Sequence, residues 1–166
     1  MWYEGIDVPG LSAYTLYSMS AVGQIRARLE STSFPNLEAM MESYARAASV
    51  RARAEYRRKL DFSAESIDGL DEIVTLVGET PELDLEFEVR LWGSYLGEVV
   101  RRRYAGIWEM TQYPGGLASV PAVEVRGSRL FPLTKVFRRL THGDEDDLST
   151  FYSMVIERLG KPAQVN

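Results

Sequence analysis

Residues 93–109 read GSYLGEVVRRRYAGIWE, with two glycines four apart, a glutamate, three consecutive arginines and a tryptophan. A carboxylate among guanidinium groups is the material of an anion-binding or acid–base site. The spacing favours packing instead. At 100° per residue, Val89, Trp92, Tyr95, Leu96, Val99 and Val100 share one apolar arc, and Gly93 and Gly97 lie along its border. Each glycine costs a helix about 1 kcal/mol relative to Ala, a cost accepted where a neighbouring backbone must come close. The same wheel puts Glu98 on the opposite, polar side, as a surface ion pair with Arg101 and Arg102. Arg103 falls inside the apolar arc, where it must reach the helix end or find a buried acceptor. Trp108 opens the next strand and is expected to cover the core end of a hairpin.

Other chemistry-bearing residues meet similar limits. His142 is the only histidine, and no second one completes a common zinc set. Asp144, Glu145, Asp146 and Asp147 lack the spaced ligands, central Gly and terminal Glu of a calcium loop, and they suit the positive end of a helix. Glu82, Asp84, Glu86 and Glu88 alternate with apolar residues and read as a solvated face rather than a carboxylate pair. There is no G-x-S-x-G elbow, P-loop or G-x-G-x-x-G fingerprint, and no cysteine. Neither a metal nor a cofactor is expected, and the chain reads as a non-enzyme.

A basic stripe is also present. Arg46, Arg53 and Arg57 fall on one helix face, with Arg51 and Arg58 adjacent, and such a stripe can neutralise phosphates. Net charge is −5 over 166 residues, which disfavours nucleic acid and anionic membranes as partners. The Ala-rich part of this helix suits close helix packing, within the chain or across a two-fold homodimer.

These residues must be positioned by a single domain spanning 1–166, with N-terminal helices over 11–60 packed on an α+β part over 61–160. Residues 1–10 read as an arm without a secretory pattern, and no apolar run approaches a membrane span, so a cytoplasmic protein is expected. Helices are predicted over about 11–30, from Asn36 to about Lys59, and after Ser63 to a left-handed cap at Gly78. Thr80 and Pro81 are expected to start another helix ending at Gly106, although LDLEFEVRLW also has the two-residue period of a strand. Strands are predicted over 107–113, 120–125 and 129–131. Pro132 opens a helix with Leu133, Val136, Phe137 and Leu140 inward and Lys135, Arg138 and Arg139 outward. The last helix follows the acidic run and closes at Gly160. The fold class is α+β, mostly helical, with a small antiparallel sheet of two or three strands between residues 107 and 131 packed on helices.

The segment YLGEVVRRRYAGIWE, the hairpin after it, LFPLTKVFRRL and GDEDDLSTFYSMV together resemble a family of small bacterial domains of uncharacterised function. In that family a G-x-Y-L-G-E-V helix precedes a G-x-W strand, and the likeness covers roughly residues 60–159. The resemblance implies a bacterial α+β domain and names no activity. The expected function is therefore protein interaction, by analogy an immunity-type protein that blocks a toxin. The expected contact surfaces are the Arg46, Arg53 and Arg57 face and the edge from Asp144 to Asp147. A nucleic-acid-associated protein using residues 46–58 and an enzyme of unknown class are the alternatives.

Overall fold

The structure is a computed structural model that describes residues 20–162, and the side chains of Asp144 and Asp146 are not among those described. The expectations for the arm and for a helix beginning at Leu11 lie outside the described residues. The chain divides into two compact units, Met1–Ser33 and Phe34–Asn166. In the first, helix α1 spans Ala21–Ser31. Ser20 caps it by accepting a hydrogen bond from the Gly23 amide (3.0 Å), and Arg26 pairs with Glu30 one turn on.

The second unit holds five helices and one sheet among its described residues: α2 (Leu37–Tyr56), α3 (Ser66–Gly78), α4 (Leu85–Tyr104), β1 (Ile107–Gln112), β2 (Ser119–Val125), β3 (Ser128–Leu130), α5 (Pro132–His142) and α6 (Leu148–Leu159). This is the expected mostly helical α+β architecture. Asn36 starts α2 by accepting from the Ala39 amide (2.8 Å), and the helix stops at Arg57, whose φ of 53° is left-handed. Ala45, Ala48 and Ala52 are buried where α2 meets α4, so the Ala face serves internal packing.

Helix α4 is the axis of this unit. Every residue from Leu91 to Val100 is buried, with α2, α3, α5 and β2 packed around it. Asp84 caps it by accepting from the Phe87 amide (3.2 Å), so the helix starts after the Thr80-Pro81 signal. Pro81 lies in a turn, and the next residue, Glu82, has a φ of 57°. The strand-like alternation is overridden because Leu85, Glu88, Leu91, Trp92 and Tyr95 line up only in a helix. Two expected glycine caps are also replaced: Glu79 follows α3 in a right-handed conformation, and Ala105, at φ 53°, ends α4.

The sheet is antiparallel in the order β1-β2-β3, and Trp108, Val123 and Leu130 stand opposite one another on the core side. Pro121 sits in the part of β2 that pairs with β1 alone, beyond the residues joined to β3. Helix α5 departs from the predicted wheel. Arg139, expected outward, is buried, while Phe137, expected inward, is 42% exposed. The reason is a partner on another helix: Arg139 Nε donates to Asp71 Oδ1 of α3 (2.9 Å), which also accepts from the Leu148 amide at the start of α6 (3.0 Å). Most of the acidic run forms a separate 3₁₀ turn, Gly143–Asp146, and Asp147 caps α6 by accepting from the Thr150 amide (2.7 Å).

Gly93 and Gly97 are sites of close approach. A Cβ on Gly93 would lie 2.7 Å from Leu133 Cα of α5, and one on Gly97 would overlap the Trp108 ring. Gly69 in α3 differs, because its nearest neighbour to an added Cβ is Leu60 Cδ2 at 3.8 Å. Gly93→Ala is therefore expected to destabilise the fold by about 1–3 kcal/mol through overpacking. Gly69→Ala is expected to stabilise it by about 1 kcal/mol through helix propensity. Urea denaturation midpoints of the two variants should move in opposite directions.

Candidate interaction surfaces

The residues that looked most like chemistry are occupied inside the fold. Glu98 is 0% exposed, not on a polar face. Arg101 Nε donates to its Oε1 (2.6 Å), Arg102 Nε to its Oε2 (2.9 Å), and Trp108 Nε1 to its Oε1 (2.8 Å). The arginine pairs expected three and four residues on are present, but the carboxylate lies in the core and the indole completes its shell. Arg101 and Arg102 also face Glu38 and Glu42 of α2 at 3.5 and 3.7 Å, which ties the end of α4 to the start of α2. Arg102 further stacks on Phe62 at 3.7 Å, and Phe62 stacks on Tyr95 with ring centres 4.8 Å apart. Arg103, expected among apolar residues, is exposed.

A second node of the same kind was not foreseen. Glu88, expected on a solvated face, is buried and accepts both contacts of Arg51 Nη1 (2.8 Å each) together with Trp92 Nε1 (2.7 Å). Arg51 also donates to Glu55 through Nε (3.0 Å) and lies over the Trp92 ring at 5.4 Å. The signal was available: in a helix from Leu85, Glu88 stands one turn before Trp92, in the apolar seam.

Burial alone would raise the Glu98 carboxyl, but the hydrogen bonds from Arg101, Trp108 and Arg102 outweigh it and hold the group below its ordinary value. Tyr152 lacks such compensation. Its hydroxyl is buried with no hydrogen-bond partner among the described residues, and burial pushes its pKa up.

Two features remain at the surface. The first is the stripe on α2: Arg46, Arg53 and Arg57 are exposed, and Arg46 Nη2 is held by Glu42 (2.6 Å). Arg51, assigned by sequence to the border of this face, is instead buried. The second is an open groove of about 580 Å³ between the sheet, α5 and α6. Tyr113, Phe131, Phe151 and Met154 supply apolar surface, and Lys135 and Glu145 are among the charged residues that also line it. Tyr113 and Phe131 meet edge to face at 4.9 Å, and Lys135 Nζ lies 5.7 Å from the Phe151 ring. Asp147 also lines the groove, so the expected acidic edge and an apolar recess are continuous; Asp144 and Asp146 lie outside the described side chains. Neither Gly93 nor Gly97 lines the groove.

His142 is exposed at the end of α5, with Thr141 Oγ1 3.0 Å from its Nδ1. No cluster of His, Asp and Glu able to hold a metal occurs among the described residues, nor does a helix long and apolar enough to cross a membrane. No protein-family model, curated protein or solved structure matches the chain.

Glu98 binds its proton more weakly folded than unfolded, so its stabilising contribution is complete above the unfolded value and is lost as pH falls through the folded one. Urea midpoints measured from neutral to acid pH should fall in that window, and Glu98→Gln should flatten the fall. At neutral pH that variant should lose about 1.5–3 kcal/mol, because a neutral amide replaces a charge-assisted acceptor while Arg101 and Arg102 keep Glu38 and Glu42 nearby. Tyr152→Phe should raise the thermal midpoint by removing an unsatisfied buried hydroxyl, a gain of about 1–3 kcal/mol.

Proposed function

We propose that the chain is a protein-interaction domain without enzymatic activity, acting in a bacterial cytoplasm, and that the groove between the sheet, α5 and α6 receives an apolar anchor of a partner protein. The observation that carries this reading is the composition of the groove. Aromatic residues and methionine are the types enriched at the centres of protein interfaces, and charged residues line the same groove, the mixture that such interfaces combine. Met154 is 61% exposed at this groove, and a flexible thioether adapts to a complementary side chain. The immunity-type reading is the specific form of this proposal, with a toxin as the partner and charges such as Glu145 setting association rate and specificity.

A photo-crosslinking residue at position 154, used in the native host, identifies the partner by mass spectrometry. Affinity is then measured between the two purified proteins. Met154→Asp is expected to weaken binding by about 2 kcal/mol or more, roughly thirtyfold, while leaving the thermal midpoint close to wild type because the side chain is exposed. A partner bound equally well by Met154→Asp would remove the groove from the interface. Co-purification of nucleic acid in place of a protein would favour the alternative reading of the chain.

A further inference from the structure

We infer that the exposed stripe Arg46, Val50 and Arg53 on α2, continued by Arg57 at its C-cap, is a second docking surface, and that its occupant is an acidic amphipathic helix of a partner protein. This surface stands beside the groove and does not depend on it, since the groove is built from the sheet, α5 and α6.

Charge is the first observation. Residues 46–59 carry six cations and one carboxylate within a chain of net charge −5. Several of those cations are satisfied at home: Arg51 by Glu88 and Glu55, Arg46 by Glu42, Arg58 by Glu72 and Lys59 by Asp61. Arg53 and Arg57 are exposed and make no ion pair with a described carboxylate. A local positive field on an otherwise acidic molecule steers an acidic partner to this face and away from the rest.

Shape decides the class of partner. Val50 is 60% exposed in the middle of the stripe, flanked by Arg46 and Arg53. A phosphate backbone offers nothing apolar to cover it, whereas a protein helix does. The intervals of four and three residues from Arg46 to Val50 to Arg53 are those of a helix seam, about 10 Å or two turns at about 1.5 Å per residue, and Arg57 follows at the left-handed C-cap. Arginine also suits carboxylates better than lysine would, because its fork donates to both oxygens of one group. The complement is a helix with glutamates at its first and eighth positions, leucine at the fifth and further glutamates in its last turn to meet Arg57.

The test uses a fluorescein-labelled synthetic helix of that pattern, titrated with the whole protein and followed by anisotropy. A duplex DNA of equal length and a peptide with lysine in place of each glutamate serve as comparisons. Saturable binding to the acidic peptide is expected, weakening as salt rises. Arg53→Gln with Arg57→Gln should weaken it by about tenfold, and Val50→Gln by about threefold. Circular dichroism should show the fold unchanged in these exposed variants. Met154→Asp, in the groove, should leave peptide binding intact, so loss of one surface is distinguishable from loss of the other. Absence of saturable binding would overturn the inference. So would equal binding of the lysine peptide, or tighter binding of DNA with no response to Val50→Gln.

Discussion

Helix α4 is withdrawn from water along its whole middle, yet it carries carboxylates into the core. That constraint organises the second unit. An ionised carboxylate removed from solvent is tolerated only with opposite charge and hydrogen bonds to its remaining lone pairs. Glu98 obtains these from Arg101, Arg102 and the Trp108 indole, and Glu88 obtains them from Arg51 and the Trp92 indole. In each case one donor comes from another element, Trp108 from β1 and Arg51 from α2, so each carboxylate fixes α4 against a neighbour. Glu98 holds the hairpin through β1, and Glu88 holds α2. Asp71 plays the same part on a smaller scale, joining α3 to α5 and to the first amide of α6.

Close packing makes this geometry reachable. Gly97 lets the Trp108 ring lie against α4, which brings the indole nitrogen within reach of Glu98, the next residue. Gly106 acts similarly at the strand entrance, where an added Cβ would lie 2.6 Å from Val125 Cγ2. Gly93 admits the backbone of α5 at Leu133, and the alanines of α2 admit α4 from another side. Small residues and buried ion pairs are thus two parts of one device, since a hydrogen bond of under 3 Å demands that its elements approach closely.

The arrangement also sorts residues by role. Glutamate beside arginine in GEVVRRR looks reactive in one dimension, but in three dimensions its groups satisfy one another. What remains at the surface is the outer stripe of α2 and the aromatic groove beside the acidic turn, the two surfaces proposed for partners.

Local signals determined much of this protein. Asn36, Gly160 and Pro132 mark the helix ends they imply, the turns at Pro114 and Gly127 set the strands, and the apolar stripe of α3 lies where its 3.6-residue period puts it. Each of these depends on neighbours within about one turn, which a sequence contains in full. Tertiary structure alone decided the fate of the charged residues. A helical wheel assumes one wet side, and α4 has none from Leu91 to Val100, so Glu98 went inward, while Arg103 beyond that stretch went outward against the wheel. Arg139 and Glu88 were buried because Asp71 and Arg51, 68 and 37 residues away in the chain, came to meet them. Whether a charge can be buried depends on a counter-charge arriving through space, and sequence distance carries no record of that.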